Sequence, residues 1–211
     1  MGTRAGNAEV RRQQILEAAA AVISERGLGE ARIADVAAVA ETSTGLILYY
    51  FGSKDQLLAE ALAAAEDQFY LQIFRGITGI DDPRAQLAEL IAGSCPGTER
   101  VAVDVTAEWQ LWVELWARAL HDPDTARRRA GMDRRWRSTI ADVVRAGQQR
   151  GVFAAHVDPR DFALEFAALI DGLALQVALR DTEVTGEQME RIALGHARRV
   201  LEFHLDEVPV R

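Results

Sequence analysis

Apolar residues return every third or fourth position along most of this chain of 211 residues, and no sustained alternation of β-branched and polar residues replaces them. That period predicts an all-α protein, and the breaks in it divide the chain into about nine helices. The first, at about 8–26, carries Ile15, Ala18, Ala19, Val22 and Ile23 on one side and stops at Gly27, a residue free to take the left-handed conformation that closes helices. Short helices follow at about 33–40 and about 44–51. Ser53-Lys54-Asp55-Gln56 fits a capping box, so a long fourth helix starts at Lys54 and ends near Gly76 or Gly79. Gly76, Gly79 and Pro83 mark a junction. Beyond it the pattern predicts helices at about 83–94, 99–121, 124–150, 159–180 and 186–206. The expected organisation is an N-terminal module over 1–58 and a larger helical body over 59–211.

Composition narrows the function classes. At 49% hydrophobic residues the chain can bury a sizeable core, yet no apolar run approaches the ~18 to 20 residues of a membrane helix. The start, "MGTRAGNAEVRRQQ", lacks the apolar centre of a secretory signal, so the expected location is cytoplasmic, with no membrane partner. Cys95 is the one cysteine, and His121, His156, His196 and His204 are scattered, so no metal or cofactor site is expected. Ser24, Ser43, Ser53, Ser94 and Ser138 have no recognisable His and acid partners, and no glycine-rich phosphate loop follows a strand. No enzyme is expected. A net charge of −8 argues against a chain coated in nucleic acid, but leaves room for a local DNA-binding face.

Such a face is carried by "RIADVAAVAETSTGLILYYF", two short helices joined by a tight polar turn. Ile33, Val36, Ala37, Ala40, Ile47 and Phe51 would pack the pair together, and the second helix would enter a major groove. Thr42, Ser43 and Thr44 stand at its N-terminus, where unpaired N–H groups and the helix dipole favour a phosphate. Tyr49, Tyr50 and Lys54, the only lysine, follow with hydroxyl and ammonium groups that reach backbone oxygens.

Residues 11–58, with "ILEAA", "ERG", "IADVA", "STG", "YYF" and "SK" in that order, resemble the DNA-binding domain of TetR-family transcriptional regulators. The resemblance implies a three-helix helix-turn-helix head, a ligand-binding body, and a homodimer formed through the last two long helices. It implies contacts to a pseudo-palindromic double-stranded operator from Thr42, Ser43, Thr44, Gly45, Leu46, Leu48, Tyr49, Tyr50 and Lys54. Departures from the family pattern stand at Thr44, where Lys is frequent, at Leu48, where Tyr is common, at Glu41, where Gly often sits, and at Ala31-Arg32, where Thr or Ser usually caps the second helix. Further along, "WVELWARALHDP", "RRWRSTIADVVRAGQQRG" and "FALEFAALIDGLALQVAL" are similar to the C-terminal domain of the BetI-like branch, whose named member responds to choline. The function so implied is a ligand-responsive regulator, a repressor released from DNA by a small molecule. The competing reading is a helical ligand-binding protein or enzyme with a vestigial head.

The body offers one aromatic constellation. Trp109, Trp112 and Trp116 project within roughly a 60° arc at ~100° per residue, with Asp104 and Glu108 at the edge. Tryptophans beside carboxylates suit a cationic effector, but core or dimer packing, which the large area of Trp favours, is the first reading of the patch. Asp171-Gly172 interrupts an apolar helix, which suggests close approach of a partner helix or a ligand and makes Asp171 a candidate ligand group. Arg127, Arg128, Arg134 and Arg135 share a face opposite Trp136, Ile140 and Val143 and read as a solvated surface balanced by Asp124 and Asp133. Phe162, Phe166, Leu169, Ile170, Leu173, Leu175, Val177, Ile192, Val200 and Leu201 supply the apolar surface expected to form the two-fold interface.

Overall fold

The computed structural model describes the backbone of residues 4–95 and 105–204, and all their side chains except those of 4–6, 66 and 105–108. Every regular element among the described residues is a helix: α1 Arg4–Arg26, α2 Ile33–Val39, α3 Thr44–Phe51, α4 Lys54–Ile77, α5 Pro83–Ser94, α6 Val105–Ala119, α7 Pro123–Gln149, α8 Pro159–Ala178 and α9 Gly186–Leu201. No helix among them is long and apolar enough to cross a membrane.

Local chemistry sets these boundaries. Gly27, at φ +80°, ends α1, and its amide returns to the Ile23 carbonyl at 2.8 Å. Helices α5, α7 and α8 each begin at Asp-Pro: the carboxylates of Asp82, Asp122 and Asp158 accept backbone N–H groups of the first turn, and a proline follows where no N–H is needed. Those hydrogen bonds hold the carboxyl of Asp158 below its ordinary range, the N–H groups of Asp161 and Arg160 being the main cause. Ser53 caps α4 by accepting the Gln56 amide at 3.1 Å, but the box stays half made, because the Ser53 amide is taken by the Phe51 carbonyl and the Gln56 side chain turns to Glu60. At α9 the box is complete, with Thr185 and Gln188 serving each other.

The described chain divides into two compact units. The first runs up to Leu71 and includes Gln110–Leu115 of α6. Its core is Ile15, Ala19, Val22 and Ile23 of α1, Val36 and Ala37 of α2, Ile47 and Phe51 of α3, and Leu57, Ala61 and Leu62 of α4. The second holds the remaining parts of α4 and α6 together with α5, α7, α8 and α9. Leu87, Leu90, Ile91, Met132, Ile140, Phe162, Phe166, Ile170, Met189 and Leu201 fill its interior. The turn after α7 packs tightly: a Cβ added to Gly147 would lie 2.0 Å from the Phe153 ring, which itself rests 5.0 Å from the Phe203 ring, centroid to centroid.

Candidate functional site

The α2–turn–α3 segment buries one side and presents the other. Val36, Ala37, Ala40, Ile47 and Phe51 are buried and Ile33 half-buried, so the expected apolar side of the pair faces inward. Ser43 caps α3, its Oγ accepting the Leu46 amide at 3.1 Å, and its hydroxyl hydrogen stays available to a further acceptor. Thr44, Gly45 and Leu48 are exposed along α3, Thr42 and Leu46 are half-buried, and Tyr49 is 81% exposed. Tyr50 sits edge-on to Tyr49 at 5.6 Å and tilts against Phe51 at 6.3 Å. Lys54 opens α4 with its Nζ 3.5 Å from the Gly29 carbonyl.

Two departures noted in the sequence have structural counterparts. Glu41 in the turn takes φ +49°, a conformation glycine adopts at no cost and a side chain adopts under strain. Arg32 precedes α2 without a side-chain cap. Two basic residues that the motif did not single out bear on this turn: Arg11 donates to the Glu41 carbonyl at 2.8 Å, and Arg12 lies 5.1 Å over the Phe51 ring while paired to Glu60. Their signal in the sequence was only the "RR" pair of the first helix.

Within the second unit a charged cluster meets an aromatic one. Trp109 is buried and donates its indole N–H to the Ser94 carbonyl at 3.0 Å, which fixes its ring as core. Trp116 lies edge-on to it, centroids 6.2 Å apart, and the Arg129 guanidinium stands 4.9 Å over the Trp116 ring. Asp133 faces Arg129 at 3.6 Å. Asp171 is mostly buried, and its carboxyl is pushed up to about 6 by that burial first and by Asp133 second, with Arg129 and Arg137 pulling the other way. Trp112 goes with the first unit, edge-on to Phe69 at 5.7 Å. Asp104 and the side chain of Glu108 lie outside the described residues.

Arg127, Arg128, Arg134 and Arg135 are exposed and Arg127 pairs with Asp124, but Asp133 serves Arg129 and not that face. Of the residues expected at a two-fold interface, Phe162, Phe166, Ile170 and Leu201 are core within one chain, while Leu169, Leu173, Leu175, Val177, Ile192 and Val200 are half-buried; Leu164 and Leu179 are the large apolar residues exposed in that region, at 54% and 69%. Apart from its own helix turn, a Cβ at Gly172 would meet no atom of the described residues within 4 Å, so no close approach among them accounts for that glycine. The Cys95 thiol is pushed up to about 12 by burial and by Glu190, which keeps it protonated and poorly nucleophilic.

The pattern of the tetR family of bacterial regulatory proteins matches residues 15–61, and that of the C-terminal region of BetI-type transcriptional repressors matches residues 83–202. The HTH-type transcriptional regulator BetI of Stenotrophomonas maltophilia is 32% identical over 189 residues, 89% of this chain and 91% of that protein. The regulator of the same name from Burkholderia lata is 32% identical over 178 residues, 83% of this chain and 86% of its own. Among solved structures, a protein of Saccharomonospora viridis described as a transcriptional regulator, in complex with choline, is similar with a TM-score of 0.81 and 30% identity, over 90% of this chain and 96% of that one. A protein of Rhodococcus sp. described as a TetR-family regulator gives 0.76 and 29%, over 92% and 99%.

Proposed function

The chain belongs to the TetR family of bacterial transcriptional regulators, in its BetI-type branch, and from there we propose that it acts as a homodimer that grips a pseudo-palindromic operator and releases it when a small cation binds the body. The observation that carries the DNA half is the exposed side of α3: an apolar, aromatic and hydroxyl-bearing surface, Tyr49 foremost, on a helix whose opposite side is core. Thr42, Ser43, Thr44 and Gly45 bring the helix N-terminus to a phosphate; Leu46 and Leu48 meet base edges, where an apolar side chain reads thymine methyls. Tyr49, Tyr50 and Lys54 hold backbone oxygens and fix the register.

Dimerisation through α8 and α9 uses the exposed Leu164 and Leu179 and the open space over Gly172, where a helix of a second copy can approach closely. The effector half is supported by Trp116 and by the mostly buried carboxylate of Asp171, which share Arg129 as a neighbour, and by choline in the S. viridis relative. A quaternary ammonium is the cation that an aromatic face and a nearby carboxylate bind best. Release requires that the effector prefer the form of the dimer that fits the operator less well.

Selection of bound duplexes from a random pool by the purified protein tests the reading. Two inverted half-sites with centres about one helical turn, or a multiple of it, apart are expected. A lone half-site, or no enrichment, contradicts it.

A further inference from the structure

Among the described residues, Arg129 is held in place by charge and by the Trp116 ring, not by hydrogen bonds. Its Nε is buried without a hydrogen-bond partner, the carboxylate of Asp133 standing off at 3.6 Å. The indole nitrogen of Trp116 is likewise buried and unpartnered. Two orphaned donors at one stacked contact leave its far side, the guanidinium edge, free to trade places with another cation, because no directional bond is lost. Position and charge both favour trading. The face of Trp116 is already covered by Arg129. Among the described residues, the charges that act on Asp171 are those of Asp133, Arg129 and Arg137, so a cation that entered without displacing Arg129 would meet two guanidinium groups.

We propose that Arg129 is the resident occupant of the effector's cation site: the effector's ammonium takes the Trp116 face from the Arg129 guanidinium, which swings outward to water. The inference rests on the cationic-effector reading above and says how that site is gated. About a third of the Arg129 side chain is already exposed, at 32%, so the outward path is short. Trp109, pinned by its bond to Ser94, keeps the Trp116 ring in position while the cations exchange. Arg137 stays behind with the two aspartates, so charge is conserved through the exchange. The incoming group has to shed its water to reach the ring; a quaternary ammonium does so easily and a primary ammonium poorly, which makes Arg129 a filter for the former. Affinity is then a difference between two cation–π contacts, and Arg129 sets the effector concentration at which the protein responds.

Calorimetric titration of the full-length protein with choline chloride tests this, using wild type, Arg129→Gln and Arg129→Lys. Emptying the ring face with Arg129→Gln should tighten choline binding about tenfold, with Arg129→Lys between that variant and wild type. Trp116→Ala should weaken binding whether or not Arg129 is present. If wild type binds choline and a folded Arg129→Gln protein binds it equally or less tightly, the exchange is overturned while the cationic reading survives. Should Arg129→Gln not fold, Arg129→Lys decides in the same way. Choline binding by neither wild type nor variant removes the cationic reading and the exchange together; binding by the Arg129 variants alone supports the exchange.

Discussion

The two units solve different problems with different parts. In the first, the side chains of the eight-residue helix α3 that are proposed to meet DNA and those that make the core lie on opposite sides of it, so that, the capping residue Ser43 apart, each set can change without disturbing the other. Its stability leans on caps and on single contacts such as Ser43 to Leu46, Arg26 to Asp35 at 2.8 Å and Arg12 over Phe51. In the second, Asp171, proposed to meet the effector, and Arg129, proposed to yield to it, are carried by the long helices α8 and α7, which also carry the core residues Ile170 and Ile140. The proposed contacts thus lie on the surface in one unit and largely inside in the other. Substitutions should therefore separate DNA binding from stability in the head and entangle effector binding with stability in the body.

The entanglement is expected to be largest at Gly147. A Cβ there meets the Phe153 ring at 2.0 Å, so Gly147→Val must push that ring off Phe203 and should cost about 3 kcal/mol in urea unfolding of the body. Next comes Asp171. Its folded-state carboxyl titrates near 6, above the unfolded value, so ionising it opposes folding: the penalty is absent below about pH 4, grows as pH rises to about 6, and is constant above. Asp171→Asn should thus raise stability by about 2 kcal/mol at pH 7.5 and leave it nearly unchanged at pH 4, as read from unfolding midpoints at the two pH values. A gain at both would assign the effect to packing. In the head the effects are smaller. Ser43→Ala removes the α3 cap and should cost about 1 kcal/mol. Smallest for the fold is Lys54→Ala, whose stability should stay within about 0.5 kcal/mol of wild type while DNA affinity falls by a similar factor for all sequences and the salt slope drops by about one. A Lys54→Ala protein with unchanged affinity and salt slope would remove that residue from the docking face.

Legibility in the sequence followed the same division. Helix starts were readable wherever a local signal sets them, as with Asp82-Pro83 and Asp158-Pro159, because a cap is made by residues two or three apart. The helix-turn-helix was readable for the same reason: its core positions and its turn lie within about twenty residues. The body's cluster was not. Asp133 looked like the counter-charge of an exposed arginine face, since helical projection orders residues around one axis and cannot say which neighbouring helix each faces. Only the packed structure turns Asp133 and Arg129 toward Trp116 and Asp171. Trp109 shows the same limit, because its anchor, the Ser94 carbonyl, lies on a different helix. Likewise Phe162 and Phe166, with period and composition suited to an interface, stack on each other at 5.4 Å and on His196 inside one chain.

In the proposed regulator one chain couples operator release to a cation held in its body, and linkage makes that coupling directly measurable. Fluorescence anisotropy of a selected operator duplex, titrated with wild-type protein at zero and at saturating choline, gives both the number of protomers per duplex and the two affinities. Two protomers per duplex are expected, with a loss of affinity of about 10- to 100-fold with choline, the usual scale of allosteric coupling. Choline that binds the protein yet leaves operator affinity unchanged would contradict it.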